Sequence, residues 1–134
     1  MSGLDPGFLQ ATFAACNFHR YLRAELRPLE PGVVEVEIPW FPELDQAMGR
    51  IHGGVYAALL DTASYYSALS ACGPVERLPL TQEYKLNLLA SVKQEALVAR
   101  ARVLKLGRRV AVVETRISSA SVELAATGLT SLVM

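Results

Sequence analysis

The sequence predicts a single α+β domain in which one long helix lies along an antiparallel sheet of about five strands. Between residues 53 and 75 the only charged residue is Asp61, so this stretch is typical of a helix buried on nearly every face. After it the hydrophobic pattern changes to a period of two, in four segments that short turns connect. Strands joined in this way form an antiparallel sheet, which a helix or a partner must cover. With 134 residues, the chain holds one such core.

The first thirty residues are predicted to be an N-terminal helical segment, and residues 31–134 the core of the domain. Asp5-Pro6 has the pattern of an N-cap followed by proline at the first helical position, which predicts a short helix over residues 7–18. Pro31-Gly32 predicts a turn. The stretch VVEVEIPW that follows alternates Val and Ile with Glu and is typical of a half-buried strand.

The long helix is predicted to begin at the Gly53-Gly54 pair and to end at Gly73-Pro74. The strand after it, LTQEYKLNLL, alternates between two faces. One face carries Gln82, Tyr84, Leu86 and Leu88, and the other carries Thr81, Glu83, Lys85 and Asn87. Three further strands are predicted in EALVARARVLKL, VAVVETRIS and VELAATGLTSLVM, with a turn at residues 107–109 between the first two.

The charge and composition exclude several classes of partner. Thirteen Lys and Arg residues balance thirteen Asp and Glu residues, so no general attraction for nucleic acid or an anionic membrane is expected. A central Asp disfavours a membrane-spanning role for the long helix, because it costs about 2.5 to 3.5 kcal/mol on insertion. The chain is 51% hydrophobic and 19% charged, so a monomer would expose large apolar patches and self-association is expected.

The cysteines and the N-terminus indicate a reducing, cytoplasmic setting. Cys16 and Cys72 lack the spacing of a metal site and are too few for a disulfide framework. His52 has no partners at ligand spacing, so no metal is expected. The opening residues, MSGLDPGFLQ, lack the basic region of a secretory signal.

The residues that indicate chemistry lie at the start and in the middle of the long helix. The Gly53-Gly54 pair leaves backbone N–H groups accessible, and such donors suit a developing oxyanion. The alternative is that the glycines only permit a tight turn. Asp61 is a carboxylate in an otherwise uncharged helix, where an unpaired charge is costly. It is either functional or hydrogen-bonded to a nearby group such as the hydroxyl of Ser64 or Thr81.

One helix cannot bring Gly53 and Asp61 to the same substrate carbon. They are eight positions apart in the sequence, which corresponds to about 12 Å along the helix axis. If both groups serve one reaction, Asp61 must come from a second subunit whose helix runs in the opposite direction. The sequence therefore predicts active sites at a two-fold interface.

The stretch HGGVYAALLDTA, preceded by Gln46 and followed by LTQEYKLNLL and GRRVAVVETRI, resembles the hotdog-fold acyl-CoA thioesterases. The nearest group is the phenylacetic-acid-pathway type, close to the 4-hydroxybenzoyl-CoA thioesterases, and the resemblance runs from about residue 31 to the C-terminus. It implies hydrolysis of an acyl-CoA thioester to a carboxylic acid and free coenzyme A. It also implies that coenzyme A enters as part of the substrate, with no separate cofactor. The functional unit would be a homodimer with shared active sites, paired into a homotetramer.

The resemblance implies roles for four residues at the reacting centre. Asp61 is the nucleophile or the general base, and the backbone N–H of Gly53 polarises the thioester carbonyl. Gln46 orients the substrate or the attacking water, and Thr81 supplies a hydroxyl early in the following strand. Because the alternation places Thr81 on the outer face, this last role requires that face to meet the partner subunit.

The resemblance also implies six substrate-binding residues: His52, Gly54, Ser64, Tyr65, Arg108 and Arg109. The first of these positions the loop without transferring a proton, and the serine assists Asp61 from the same helix. The tyrosine replaces a smaller residue of some relatives and would narrow the acyl pocket. The two arginines would contact the nucleotide part of coenzyme A, although a solvated hairpin explains them nearly as well. His19, near the first helix, is expected to be structural.

Two other functions remain open. A hotdog enoyl-CoA hydratase or dehydratase needs an Asp–His pair in one loop, and the spacing of Asp45 and His52 does not match that pattern. A non-enzymatic acyl-CoA-binding module is the second, and regulators of that kind carry a DNA-binding helix pair that 134 residues with zero net charge do not provide. Thiol release from acyl-CoA, compared with hydration of crotonyl-CoA, separates hydrolysis from hydration.

Overall fold

The computed structural model describes residues 4–134. The first three residues, part of the stretch that lacks a secretory signal pattern, lie outside the described residues. The helices are α1 (Pro6–Ala14), α2 (Asn17–Tyr21) and α3 (Gly53–Cys72), with a short 3-10 helix at Pro42–Leu44. The strands are β1 (Glu25–Glu30), β2 (Val33–Ile38), β3 (Leu80–Leu88), β4 (Leu97–Leu106), β5 (Val110–Ser118) and β6 (Ala126–Val133).

The N-terminal segment differs from the prediction because it contains a strand as well as helices. The predicted N-cap is confirmed, since Asp5 Oδ1 accepts from the Phe8 N–H at 3.0 Å. The helix ends at Ala14, and a second short helix replaces its predicted continuation. Strand β1 pairs with β2, and Pro28 lies at a register shift in that pairing. Proline and charged residues conceal this strand in the sequence, because an edge position tolerates a missing N–H.

Helix α3 begins and ends where the glycines predict. Gly73 adopts φ 74° after the last helical residue and donates its N–H to the carbonyl of Leu69 at 2.9 Å. The face toward the sheet includes serine hydroxyls, which bond to backbone or to other hydroxyls; Ser67 Oγ, for example, donates to the Gly32 carbonyl at 2.7 Å. None of the helices in residues 4–134 is long and apolar enough to cross a membrane.

The strands form one antiparallel sheet in the order β1-β2-β4-β5-β6-β3. Helix α3 packs across one face of this sheet, and their shared core contains fully buried residues from both layers, among them Leu59, Leu60, Val36, Val113 and Ile117. The predicted fold class is therefore confirmed. The described residues contribute six strands instead of about five, and the added strand is β1.

Helix α3 and the sheet approach closely at Gly128 of β6. A Cβ at this position would lie 2.6 Å from Leu60 Cδ1 and 2.2 Å from the carbonyl oxygen of Lys85. The second atom belongs to the backbone of the neighbouring strand and cannot move aside. Glycine at this position therefore sets how near α3 lies to β3 and β6.

Strand β3 contains a β-bulge that the predicted alternation misses. Thr81 pairs with Leu132 and Glu83 pairs with Ser131, so Gln82 is an extra residue without a partner in the register. Leu132 is fully buried beneath the helix, and Thr81 therefore faces the helix too. Beyond the bulge the helix-facing residues are Tyr84, Leu86 and Leu88. The predicted faces of Thr81 and Gln82 are therefore wrong, since Thr81 points toward the helix and Gln82 is exposed.

Strand β3 lies at an edge of the sheet and exposes large apolar side chains. Its single strand neighbour among the described residues is β6. Leu80, Tyr84 and Leu88 are 65%, 42% and 56% exposed. Because a long edge strand presents unpaired backbone groups, apolar side chains along it favour pairing with another chain.

Candidate active site

Asp61 and Thr81 are in direct contact. Thr81 Oγ1 donates to Asp61 Oδ1 at 2.8 Å, and both residues are half-buried. Helix α3 carries the carboxylate about two turns after its start, and the bulge in β3 turns the hydroxyl toward it. The contact holds one carboxylate oxygen and leaves the side chain partly accessible.

Asp61 and Thr81 line a cavity of about 540 Å³. This volume lies in the range of roughly 300 to 1,000 Å³ that is common for small-molecule sites. Tyr65, one turn after Asp61, also lines it. Phe18 and His19 of the N-terminal helix α2 also contribute to its wall. The cavity thus combines one carboxylate with aromatic walls.

An aromatic cluster forms part of the cavity wall. The rings of Phe13 and His19 stack with centroids 4.1 Å apart, and Tyr66 meets His19 edge-on at 5.7 Å. Burial lowers the pKa of His19, and it raises the pKa of Tyr65 and of Tyr66. All three side chains are therefore uncharged near neutral pH, and this wall adds no charge beside Asp61.

The N-terminus of α3 presents one accessible backbone donor. His52 is the N-cap, and its Nδ1 accepts from the Gly54 N–H at 2.7 Å. That contact fits the predicted positioning role of His52, but it occupies the Gly54 donor. The N–H of Gly53 has no hydrogen-bond partner among the described residues and lies at the positive end of the helix dipole. Of the glycine pair, Gly53 is therefore the available oxyanion donor.

Gln46 lies in the turn that precedes α3. Its Oε1 accepts from the N–H groups of Met48 and Arg50, at 2.5 and 3.3 Å. The same residue's backbone N–H donates to the Arg50 carbonyl at 2.8 Å. These bonds use the side-chain oxygen and leave the amide NH2 as the group that could orient a substrate or a water.

Gly53 lines a separate, smaller cavity of about 240 Å³, together with Tyr56, Leu88 and residues 89–91. A Cβ on Gly53 would lie 3.0 Å from Leu88 Cδ1, so strand β3 contacts the start of the helix here. Asp61 is not part of this cavity wall. Within one chain the two halves of the predicted site remain separate, as their spacing along the helix requires.

The predicted helper role of Ser64 is not supported by its position. Ser64 is fully buried, and its Oγ lies 2.9 Å from both Thr115 Oγ1 and Thr130 Oγ1. It lines neither the cavity at Asp61 nor the one at Gly53. Its hydroxyl instead ties α3 to the neighbouring strands β5 and β6, because a buried hydroxyl needs hydrogen-bond partners.

The Asp–His pair that a hydratase would need is not formed. Asp45 Oδ1 accepts from Trp40 Nε1 at 2.9 Å, while His52 bonds to Gly54. In residues 4–134, no group of three or more His, Cys, Asp and Glu side chains is placed to hold a metal ion.

Arg108 and Arg109 lie in the exposed turn between β4 and β5, outside both cavities. Neither forms an ion pair with another described residue. Strand register relates this turn to the site, since Val110 pairs with Val133 and Val133 pairs with Leu80. The turn therefore lies at the same end of the sheet as Thr81.

The contribution of α1 and α2 to the site is not predicted from the sequence. Thr12, Cys16 and Phe18 line the cavity at Asp61, yet nothing in their local pattern distinguishes them from ordinary helix residues. His19 carries the one available signal, because a polar ring in an apolar helical stretch requires an explanation. Its predicted structural role is compatible with its buried contacts, and its place in the cavity wall is an additional finding.

Comparisons with known proteins show the family of the chain. A family model described as the thioesterase superfamily matches residues 48–126, a range that contains Gly53, Asp61 and Thr81. A protein from Saccharolobus solfataricus that is provisionally named an esterase is 30% identical over 112 residues. That match covers 84% of this chain and 79% of the relative.

Solved structures share the fold. A thioesterase family protein from Silicibacter pomeroyi is 30% identical, covers 93% of both chains and superposes with a TM-score of 0.87. The PaaI protein from the phenylacetic acid degradation operon of E. coli superposes with a TM-score of 0.84 at 18% identity, over 92% of this chain and 88% of its own. The second likeness concerns the fold alone.

Proposed function

The chain belongs to the thioesterase superfamily, and on that premise we propose that it hydrolyses an acyl-CoA thioester to a carboxylic acid and free coenzyme A. Its fold is the hotdog fold. The observation that carries the proposal is the Asp61–Thr81 hydrogen bond at the wall of a largely apolar cavity. A half-buried carboxylate held by a hydroxyl beside an apolar cavity suits a reaction at the end of an acyl group.

In the proposed reaction Asp61 acts on the thioester carbonyl in one of two ways. As a general base it takes a proton from water, whose oxygen attacks the carbonyl carbon. As a nucleophile it attacks the carbon itself, and water then hydrolyses the resulting anhydride. Either way the carbon–sulfur bond breaks, coenzyme A leaves as the thiolate and takes up a proton, and the oxygen from water remains in the acid. The Gly53 N–H stabilises the negative charge on the carbonyl oxygen.

The shared site follows from pairing two copies of β3. Within one chain Asp61 contacts Thr81 near the start of β3, and Gly53 approaches Leu88 at its end. An antiparallel pairing centred on Lys85, in which the bulge residue Gln82 is again unpaired, would set Thr81 opposite the partner's Leu88. The partner's Gly53 would then approach Asp61, although one chain keeps these groups apart. The exposed apolar side chains of this edge strand support that interface.

The remaining features support the rest of the proposed assembly. Arg108 and Arg109 would bind the phosphates of coenzyme A, while the acyl group enters the cavity at Asp61. Val110 and Leu129, 42% and 50% exposed on the face of the sheet away from α3, favour a second contact that pairs dimers into a homotetramer. A cytoplasmic setting is part of the proposal, since two cysteines in 134 residues are too few for a disulfide framework.

Thiol release from a panel of acyl-CoAs tests the proposal. Hexanoyl-, dodecanoyl-, benzoyl- and phenylacetyl-CoA sample aliphatic and aromatic acyl groups. Asp61→Asn keeps the size of the side chain and an acceptor for Thr81 but removes the base. We expect kcat to fall by at least about 100-fold, the scale of a general acid–base group.

The matched control is Glu43→Gln, which makes the same chemical change at an exposed residue outside the cavity. Its kcat should equal that of the wild type. Absence of thiol release from every acyl-CoA would overturn the proposed function. Full activity in Asp61→Asn would overturn the role of the carboxylate. Hydration of crotonyl-CoA by the wild type would instead support the hydratase alternative.

A further inference from the structure

We infer that His19 is the partition that limits the length of the acyl group at the active site. The inference rests on the proposed function, because it assigns the cavity at Asp61 to the acyl group. It concerns a specificity-determining residue, and the proposed chemistry at Asp61 does not require it.

Two cavities meet at His19. Besides the cavity at Asp61, a second one of about 520 Å³ lies among α1, α2 and β1. Its wall includes Phe13, Ala14, Leu26 and three arginines. Among the described residues His19 is the single one that lines both cavities. His19 therefore stands between two spaces of nearly equal volume.

Contacts on several sides hold the His19 ring in this place. Its Nδ1 donates to the Phe13 carbonyl at 2.9 Å, since a carbonyl oxygen can only accept. The Phe13 ring stacks on one face, with centroids 4.1 Å apart and planes inclined by 24°. Tyr66 packs edge-on at 5.7 Å, and His19 as a whole is 8% exposed. A ring held in this way is a fixed wall rather than a mobile side chain.

The second cavity offers apolar surface to a longer acyl group if the partition is removed. Phe13, Ala14 and Leu26 contribute apolar side chains to its wall. Truncation of His19 would join the two spaces into one channel leading away from Asp61. The native protein would then favour acyl groups that end before His19, and the truncated variant would accept longer ones.

The test compares His19→Ala with the wild type on hexanoyl-CoA and hexadecanoyl-CoA, with kcat/KM measured by thiol release. We expect the ratio of hexadecanoyl-CoA to hexanoyl-CoA to rise by at least about tenfold in the variant. Burial of two further methylene groups is sufficient for a change of that size. Because both substrates are measured on the same preparation, a smaller folded fraction cancels from the ratio. Should His19→Ala give no folded protein by circular dichroism, His19→Ser provides the same opening with a hydroxyl near the Phe13 carbonyl.

Two control variants separate the partition from a general effect of changing His19. His19→Phe restores a ring of similar size and should keep the wild-type ratio. Ala14→Phe fills the second cavity from an exposed position. Combined with His19→Ala, it should return the ratio toward the wild-type value.

An unchanged ratio in folded His19→Ala, with both substrates hydrolysed by the wild type, would overturn the inference and leave the proposed function intact. An increase of equal size in His19→Phe would overturn it too, because the ring would then not be the barrier. A wild type that releases no thiol from any acyl-CoA would instead overturn the proposed function.

Discussion

Asp61 keeps its position because two elements fix it, the helix that carries it and the strand that presents Thr81. One carboxylate oxygen accepts the Thr81 hydroxyl at 2.8 Å, and the other has no hydrogen-bond partner among the described residues. No cation of another described residue pairs with this carboxylate. The arrangement therefore suits a base or a nucleophile better than a structural ion pair.

For Arg108 and Arg109 the double change to Ala should raise KM for acyl-CoA by roughly three- to tenfold, the loss of one or two exposed charge contacts. It should leave kcat nearly intact, because the phosphates are remote from the reacting carbonyl and these contacts bind substrate and transition state alike. The dependence of KM on salt should also weaken. Steady-state kinetics on an acyl-N-acetylcysteamine provides the control, since this thioester lacks the nucleotide. If KM for acyl-CoA stays unchanged, the pair is only a solvated hairpin.

For His19 the free energy of unfolding should depend on pH in a way that His19→Phe removes. Burial lowers the pKa of His19 in the folded protein, so the unfolded chain binds the proton more tightly. The contribution of His19 is therefore fully present above its unfolded pKa of about 6.5 and is lost as the pH falls through the lower folded value. Urea unfolding between about pH 7 and pH 5 should show a steeper loss of stability for the wild type than for His19→Phe. Parallel curves would contradict the burial of a neutral imidazole.

At the scale of elements, α3 supplies both halves of the candidate site, but at different positions along its length. Its N-terminus offers the Gly53 N–H, and its middle offers Asp61. On its buried face, Ser64 bonds to a threonine hydroxyl of the sheet, and Ser67 and Ser70 bond to the backbone of the β1–β2 turn. Because these hydroxyls have partners, a helix with a single charge can pack on all sides. The helix is therefore both the core of the domain and the frame of the site.

For strand β3, Tyr84→Glu should weaken self-association and leave the monomer folded. In the proposed pairing Tyr84 lies beside the two-fold axis, so the change would oppose two like charges across the new sheet contact. Sedimentation velocity should show a lower apparent mass at low salt, partly restored by added salt. Tyr21→Glu is the matched control, since Tyr21 is also an exposed tyrosine but lies at the end of α2. An unchanged mass for Tyr84→Glu would argue against an interface at β3.

Much of the element pattern could be predicted because it depends on local signals. Glycines lie at both ends of α3, and alternation of apolar and polar residues predicts β2 and β5. Strand β1 could not be predicted, since its pairing with β2 overrides a local pattern of proline and charges. The inward position of Thr81 could not be predicted either, because a bulge depends on the register with β6 and not on the residues of β3 alone.

At the scale of the whole molecule, the sequence identifies Asp61 and Gly53 as candidate residues but does not predict which residues form the cavity wall. A lone carboxylate and a glycine pair are visible in the sequence, whereas the wall is assembled from residues 12–19, 58–66 and 79–81. Contacts between segments so far apart in the sequence produce no periodic pattern of residues from which they could be predicted. For Ser64, proximity to Asp61 along the helix does not predict the direction of the hydroxyl, which bonds to Thr115 and Thr130.

For the proposed dimer, mixing two inactive variants should restore activity. Asp61→Asn removes the carboxylate, and Gly53→Pro removes the oxyanion donor at the first helical position, where proline is tolerated. If sites are shared, a hybrid dimer has one intact site and one with both changes. With free exchange of subunits, thiol release should recover to about a quarter of the wild-type rate, since about half of the dimers are hybrids with one working site each.

The control for that mixing experiment is a measured exchange of subunits, for example by mass spectrometry of differently tagged variants. Demonstrated exchange without recovered activity would mean that each chain carries a complete site, which the separation of Gly53 from Asp61 in one chain argues against.

The bulge at Gln82 implies a different kind of constraint, on the number of residues and not on their identity. Gln82 is exposed and unpaired in the register, so many side chains should be tolerated there. Deletion of this one residue would instead restore simple alternation and turn either Thr81 or the rest of β3 to the opposite face. A library of variants should therefore accept most substitutions at this position while rejecting single-residue deletions and insertions between Thr81 and Tyr84. Alignments of relatives that place a gap in this short interval should mark proteins in which the partner of the carboxylate comes from another residue.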